Sequence, residues 1–205
     1  MKKVILTILC GCLFYNCNKK PEVTPKINNS DTIVSTEIKT DTVPAFTKEL
    51  SLNKISFKIA VTGNQMTITP TGLSIDNRPL VRKIEGKITN AEIGDLNSDT
   101  FPELFVYTIS DDSNKYAKAY GFSVNNGKSV SDISIPNITD DPKLSKGYSG
   151  HDDFAIVEGI LAQRFPIYTE EGATSKPTGK TRQIQYKLRN GEASRILVID
   201  QTIEF

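Results

Sequence analysis

From Ile55 onward apolar and polar residues alternate with period two, the spacing that turns one face of a β-strand to a core and the other to water. Ile55, Phe57, Ile59 and Val61 share one parity, and Met66 and Ile68 follow ahead of a Pro70-Thr71-Gly72 turn. Further strands are predicted over 80–88 and 103–110. The stretch 116–124 runs into Asn125-Asn126-Gly127, a turn suited to positive φ, and 129–135 returns as the second arm of a hairpin. Strands over 154–161, 164–168, 181–188 and 194–203 complete the pattern, the last two joined through Arg189-Asn190-Gly191-Glu192. Beyond one turn near 143–146 no amphipathic helix is expected. About eight short strands separated by close turns predict an all-β fold, a single antiparallel β barrel or sandwich over 49–205.

The chain ahead of that domain reads differently. Residues 18–48 are rich in Thr, Ser, Asn, Lys and Pro with apolar residues scattered singly, so this stretch is expected to be a disordered tether. Met1-Lys2-Lys3 and the apolar run from Val4 to Tyr15 have the form of a secretory signal, too short for a permanent membrane span. The run ends at Cys17, followed at once by Asn18-Lys19-Lys20, and so resembles a bacterial lipoprotein signal over 1–17 with Cys17 as the lipidated residue. Asn16 stands where such signals usually carry a small residue, which leaves Cys12, after Gly11, as a rival anchor and an ordinary cleaved signal as the other alternative. An exported protein, held to a membrane through its lipid and facing the periplasm or the outside, is the expectation.

Composition narrows the chemistry. All three cysteines lie in that first segment, so a mature domain has no internal disulfide, thiolate nucleophile or Cys-ligated metal. His151 is the single histidine, which excludes a multi-histidine metal site. The whole chain has a formal charge of +1, yet residues 95–153 hold ten acidic against five basic residues. A partner for that region is expected to be basic, and nucleic acid is not expected.

Four constellations could carry function. In Tyr148-Ser149-Gly150-His151-Asp152-Asp153-Phe154 a Ser, a His and two Asp are adjacent, whereas a catalytic triad converges from separate segments; a loop fixing a strand entry is the plainer reading. Asp95, Asn97, Asp99 and Glu103 place oxygens at positions 1, 3, 5 and 9 of a calcium-type loop, but Thr100 replaces the usual Gly and Val106 the bidentate Glu. Calcium is therefore a minor expectation beside a simple Asp/Asn turn, and no cofactor is expected. Asp152 and Glu158 could supply two carboxyl groups for an envelope hydrolase. Finally, Asp111-Asp112-Ser113-Asn114-Lys115-Tyr116 joins two strands, and Tyr116 is either a contact device beside Ser113 or a ring turned into the core.

The order of these features is that of a known family. Phe57-Lys58-Ile59-Ala60-Val61, the run from Gly94 to Leu104, the Ser113/Tyr116 loop, Tyr148 to Gly159, Arg164-Phe165-Pro166-Ile167-Tyr168 and Pro177 to Tyr186 together resemble the bacterial periplasmic inhibitors of invertebrate-type (I-type) lysozyme, over about residues 55–200. The resemblance implies a small antiparallel β barrel or sandwich, often a homodimer, that plugs the enzyme's active-site cleft. It implies that Ser113 and Tyr116 meet the enzyme's catalytic residues, with Asn114, Lys115, Tyr148 and His151 around them; Asn114 stands where sister families have Gly. A cell-envelope binding or adhesion module on the same scaffold is the rival expectation.

Overall fold

The structure, a computed structural model, describes residues 44–169 and 175–205. The signal-like segment, Cys17 and most of the expected tether lie outside the described residues. Among the described residues no helix is long and apolar enough to cross a membrane.

Among the described residues twelve strands form three four-stranded antiparallel meanders. The first sheet is β1 (Phe46–Leu52), β2 (Ile55–Thr62), β3 (Gln65–Thr71) and β4 (Leu80–Lys83); the second is β5 (Lys87–Gly94), β6 (Glu103–Ile109), β7 (Ala117–Asn125) and β8 (Ser129–Ile133). The third is β9 (Asp153–Val157), β10 (Ile160–Tyr168), β11 (Pro177–Asn190) and β12 (Arg195–Glu204). The all-β antiparallel expectation holds, and of the two architectures the sandwich fits, because no sheet closes into a barrel.

The strand count exceeds the expected eight for local reasons. β1 begins inside the stretch expected to be tether, and its alternating half-buried face pairs with β2 along its whole length. The stretch 80–88 is two strands, because Gly86 turns the chain from the first sheet to the second at φ +76°. A Cβ there would lie 2.3 Å from the Ile109 carbonyl oxygen, so only glycine fits the corner. Glu158 and Gly159, both at positive φ, form the hairpin turn between β9 and β10 within the stretch expected to be one strand.

The second sheet is the middle layer, buried on both faces. On β6, Leu104 and Val106 join Phe57, Ile59, Met66 and Ile68 of the first sheet, whereas Phe105 and Tyr107 join Leu161, Phe165, Ile184 and Tyr186 of the third. Two apolar faces erase the period-two pattern, and the strand reads as a continuous buried run. Each such side chain contributes roughly 1.5–3 kcal/mol by leaving water. Glu92 on β5 fastens the middle and third layers, its Oε2 accepting from the Tyr107 hydroxyl and the Ile156 N–H, both at 2.8 Å. At the opposite edge, Ser134 just past β8 bridges to Ile196 of β12.

Candidate functional site

The β6–β7 connection, residues 110–116, projects from the middle layer as a self-closed loop. The Ser110 N–H donates to the Tyr116 carbonyl, and the Tyr116 N–H to the Ser110 hydroxyl, each at 2.8 Å. Asp112 Oδ1 accepts from the N–H groups of Asn114 (2.8 Å) and Lys115 (3.1 Å), the aspartate-headed turn that short polar side chains favour. The Ser110 hydroxyl and those two N–H groups hold the Asp112 carboxyl below its usual range. Lys115 takes φ +52° to complete the turn.

This places Ser113 at the exposed tip and leaves Tyr116 40% exposed, so the ring is not a core residue. Its hydroxyl oxygen accepts from Asn114 Nδ2 at 3.0 Å, which leaves the phenolic proton free to donate outward. Beneath it the Tyr148 ring lies 5.7 Å away and itself meets Phe165 edge-on at 4.8 Å. The loop tip is thus carried on a tilted and then an edge-on aromatic contact, geometries that favour ring packing.

The loop rests on a second segment. The His151 N–H donates to the carbonyls of Asn114 (2.7 Å) and Lys115 (3.2 Å), and Gly150 packs so close that a Cβ would lie 2.1 Å from the Asn114 oxygen. Asp152, only 7% exposed, accepts on Oδ2 from the Tyr148 hydroxyl (2.7 Å) and the Ala117 N–H (3.1 Å), and on Oδ1 from Gln163 Nε2 (2.7 Å). Gln163 Oε1 in turn accepts from the Tyr186 hydroxyl at 2.6 Å. Burial pushes the Asp152 carboxyl above its ordinary value against the pull of these donors, and it pushes the Tyr148 and Tyr186 hydroxyls up as well.

All six residues expected to meet a partner therefore gather in one place. Ser113, Asn114, Lys115 and Tyr116 form the loop; the His151 imidazole is exposed beside Tyr168, its Nδ1 3.4 Å from the Tyr168 hydroxyl; Tyr148 turns its hydroxyl inward and supports Tyr116 from below. Gly150, Asp152 and Gln163 belong to the same site but were not expected there. Gln163 did leave a signal in the sequence, a polar residue at the same parity as the core residues Leu161 and Phe165. Beside the loop opens a cleft of about 500 Å3, lined among others by Ala117, Ala119, Ile138, Tyr148 and Phe154.

The other constellations are held differently. The Asp95 carboxylate accepts from the N–H groups of Asp99 (3.0 Å) and Thr100 (2.9 Å), Asn97 Oδ1 accepts from Asp99 (3.2 Å), and Asp99 Oδ1 from Phe101 (2.9 Å). Thr100 takes the φ of +71° that calcium loops usually give to glycine. Asp99 Oδ2 pairs with the Arg195 guanidinium at 2.9 Å, so a cationic side chain already faces the turn's carboxylates. Glu103 points inward and accepts from the Leu96 N–H and the Ser123 hydroxyl; burial raises its carboxyl to about 7, and Asp99 and Asp95 add to the shift. Among the described residues no group of three or more acidic, His or Cys side chains is arranged to hold a metal ion.

Asp152 and Glu158, the two carboxyl groups the sequence offers for hydrolysis, are separated in the structure. Asp152 precedes β9 and Glu158 follows it, so the strand holds them on the order of 15–20 Å apart, wider than the carboxyl spacing of glycosidases. Comparison with protein-family models, curated proteins and solved structures found no match to this chain.

Proposed function

We propose that this domain inhibits invertebrate-type lysozyme by inserting the loop of residues 110–116 into the enzyme's active-site cleft. The observation that carries this reading is the placing of Ser113 and Tyr116 on one exposed projection, with the Tyr116 proton free to donate. A lysozyme cleft uses two carboxyl groups, and neutral hydroxyls meet carboxylates without like-charge repulsion. Asp111 and Asp112 are exposed on the loop, offset by Lys87, which pairs with Asp111 at 2.9 Å, and by Lys115, so the acidic character suited to a basic enzyme rests on the wider stretch 95–153 with its ten acidic and five basic residues. In this reading the mature protein is exported and carried on a lipid at Cys17, with the stretch that follows as its tether, and it protects peptidoglycan by occlusion rather than by catalysis.

The test is turnover of peptidoglycan by invertebrate-, chicken- and goose-type lysozymes with the purified domain added. Inhibition of the invertebrate type is expected; none at micromolar domain would overturn the proposal. The rival reading, an envelope-binding module, draws on the cleft beside Tyr148. It is favoured if the domain binds purified peptidoglycan sacculi while leaving all three enzymes active.

A further inference from the structure

Three consecutive residues each touch the loop or its exit. Gly150 supplies the absence of a side chain, His151 its main-chain N–H, and Asp152 a carboxylate oxygen for the Ala117 N–H at the loop's exit. Asp152 is buried with no cationic partner among the described residues. The groups facing it are the Ala117 N–H of β7, the Tyr148 hydroxyl, the Gln163 amide of β10 and, beyond that, the Tyr186 hydroxyl of β11.

A buried carboxylate without a counter-ion is destabilising, and a neutral residue of the same shape would pack as well. What the carboxylate alone offers is acceptors on both oxygens and no donor, so all three incoming donors are met in a single arrangement. An asparagine could still accept from Ala117 and Tyr148, but its NH2 would force the Gln163 amide to reverse against Tyr186. The acceptor-only group thus ties the loop's exit to the hydrogen-bonded interior of the third sheet.

We propose that Gly150-His151-Asp152 is a positioning clamp, which fixes Ser113 and Tyr116 in the form a partner meets while its own contacting atoms stay beneath the loop. The inference rests on the loop being the binding element. It identifies residues whose change weakens binding through loop order alone, since a loop already ordered loses less freedom on association.

The test uses Gly150→Ala, Asp152→Ala and Asp152→Asn in the described domain. Gly150→Ala collides with the Asn114 carbonyl and strains a backbone at φ +80°, removing no hydrogen-bonding side chain, so it keeps the test open if Asp152→Ala folds poorly. In the free domain, amide exchange is expected to quicken by about tenfold or more at His151 in Gly150→Ala and at Ala117 in Asp152→Ala, and Asp152→Asn should restore most of the protection. Inhibition of invertebrate-type lysozyme should weaken by about tenfold in the same two variants and recover with Asn. Unchanged exchange in both disruptive variants, or faster exchange with undiminished inhibition, would overturn the clamp. Should the wild-type domain fail to inhibit, the lysozyme reading falls, and amide exchange still decides whether these residues order the loop.

Discussion

The Arg195 guanidinium lies 2.9 Å from the Asp99 carboxylate, joining the start of β12 to the turn that feeds β6, 96 residues earlier in the chain. Both side chains are largely shielded from solvent, so the pair is screened less than a surface ion pair. Arg195→Ala leaves the part-buried Asp99 carboxylate without its cation and is expected to destabilise the domain by about 1–3 kcal/mol in denaturant unfolding. Added calcium is expected to leave the melting temperature of the unaltered domain unchanged, because Arg195 already pairs with Asp99 and the turn's own N–H groups take the Asp95 carboxylate. A calcium-dependent rise would show that the turn takes the ion instead.

Glu103 makes stability depend on pH in a definite direction. Its carboxyl is raised from the ordinary 4.5 to about 7, first by burial, so between those values the folded state keeps a proton that the unfolded state has released. The group's contribution is full below about pH 4.5 and is lost as pH rises through 7, with a ceiling of roughly 3 kcal/mol. Asp152 shifts the same way. Glu103→Gln keeps an acceptor for Leu96 and can donate to Ser123, so it should gain stability near pH 8 and little near pH 5. Equal gains at both, read from urea midpoints, would contradict the assignment.

Ser113→Ala and Tyr116→Ala test the tip of the loop. The tyrosine is expected to dominate, on the order of 2 kcal/mol or about thirtyfold in the inhibition constant, with a smaller loss at the serine. Ser113→Ala should leave thermal stability unchanged, since its side chain is exposed, whereas Tyr116→Ala also removes the ring packed on Tyr148 and should lower it slightly. Inhibition that survives both changes would move the contact elsewhere on the face.

Gly121 tests the double-sided packing of the middle sheet. A Cβ at that position would lie 2.8 Å from Phe105 Cε1 and 3.0 Å from Ile133 Cβ, both inside the core between the second and third layers. Gly121→Val is therefore expected to destabilise by about 1–3 kcal/mol, a fall of several degrees in melting temperature for a domain of this size. A change within error would mean that the two layers are packed more loosely than described.

Where one face of a strand is buried, the sequence reports it directly. β2, β3 and β11 carry alternating core residues that match their burial patterns, and Asn126 and Gly127 take the positive φ their hairpin requires. The limits of legibility are equally specific. β6 has no alternation because it is covered twice, and the split at Gly86 is masked because Leu80, Ile84 and Ile88 keep one parity across it. Glu158-Gly159 was hidden because Glu is an unusual residue at positive φ.

By itself the sequence determined the fold class, the Asn125-Asn126-Gly127 hairpin turn and the grouping of acidic and hydroxyl side chains in the loop between β6 and β7, since period, turn chemistry and charge are local properties. Only the tertiary structure decided that twelve strands stack in three layers, that Arg195 meets Asp99, and that Gly150, His151 and Asp152 lie beneath Ser113 and Tyr116. Those relations join segments more than thirty residues apart, and their physical cause is the burial of both faces of the middle sheet, which no single strand records.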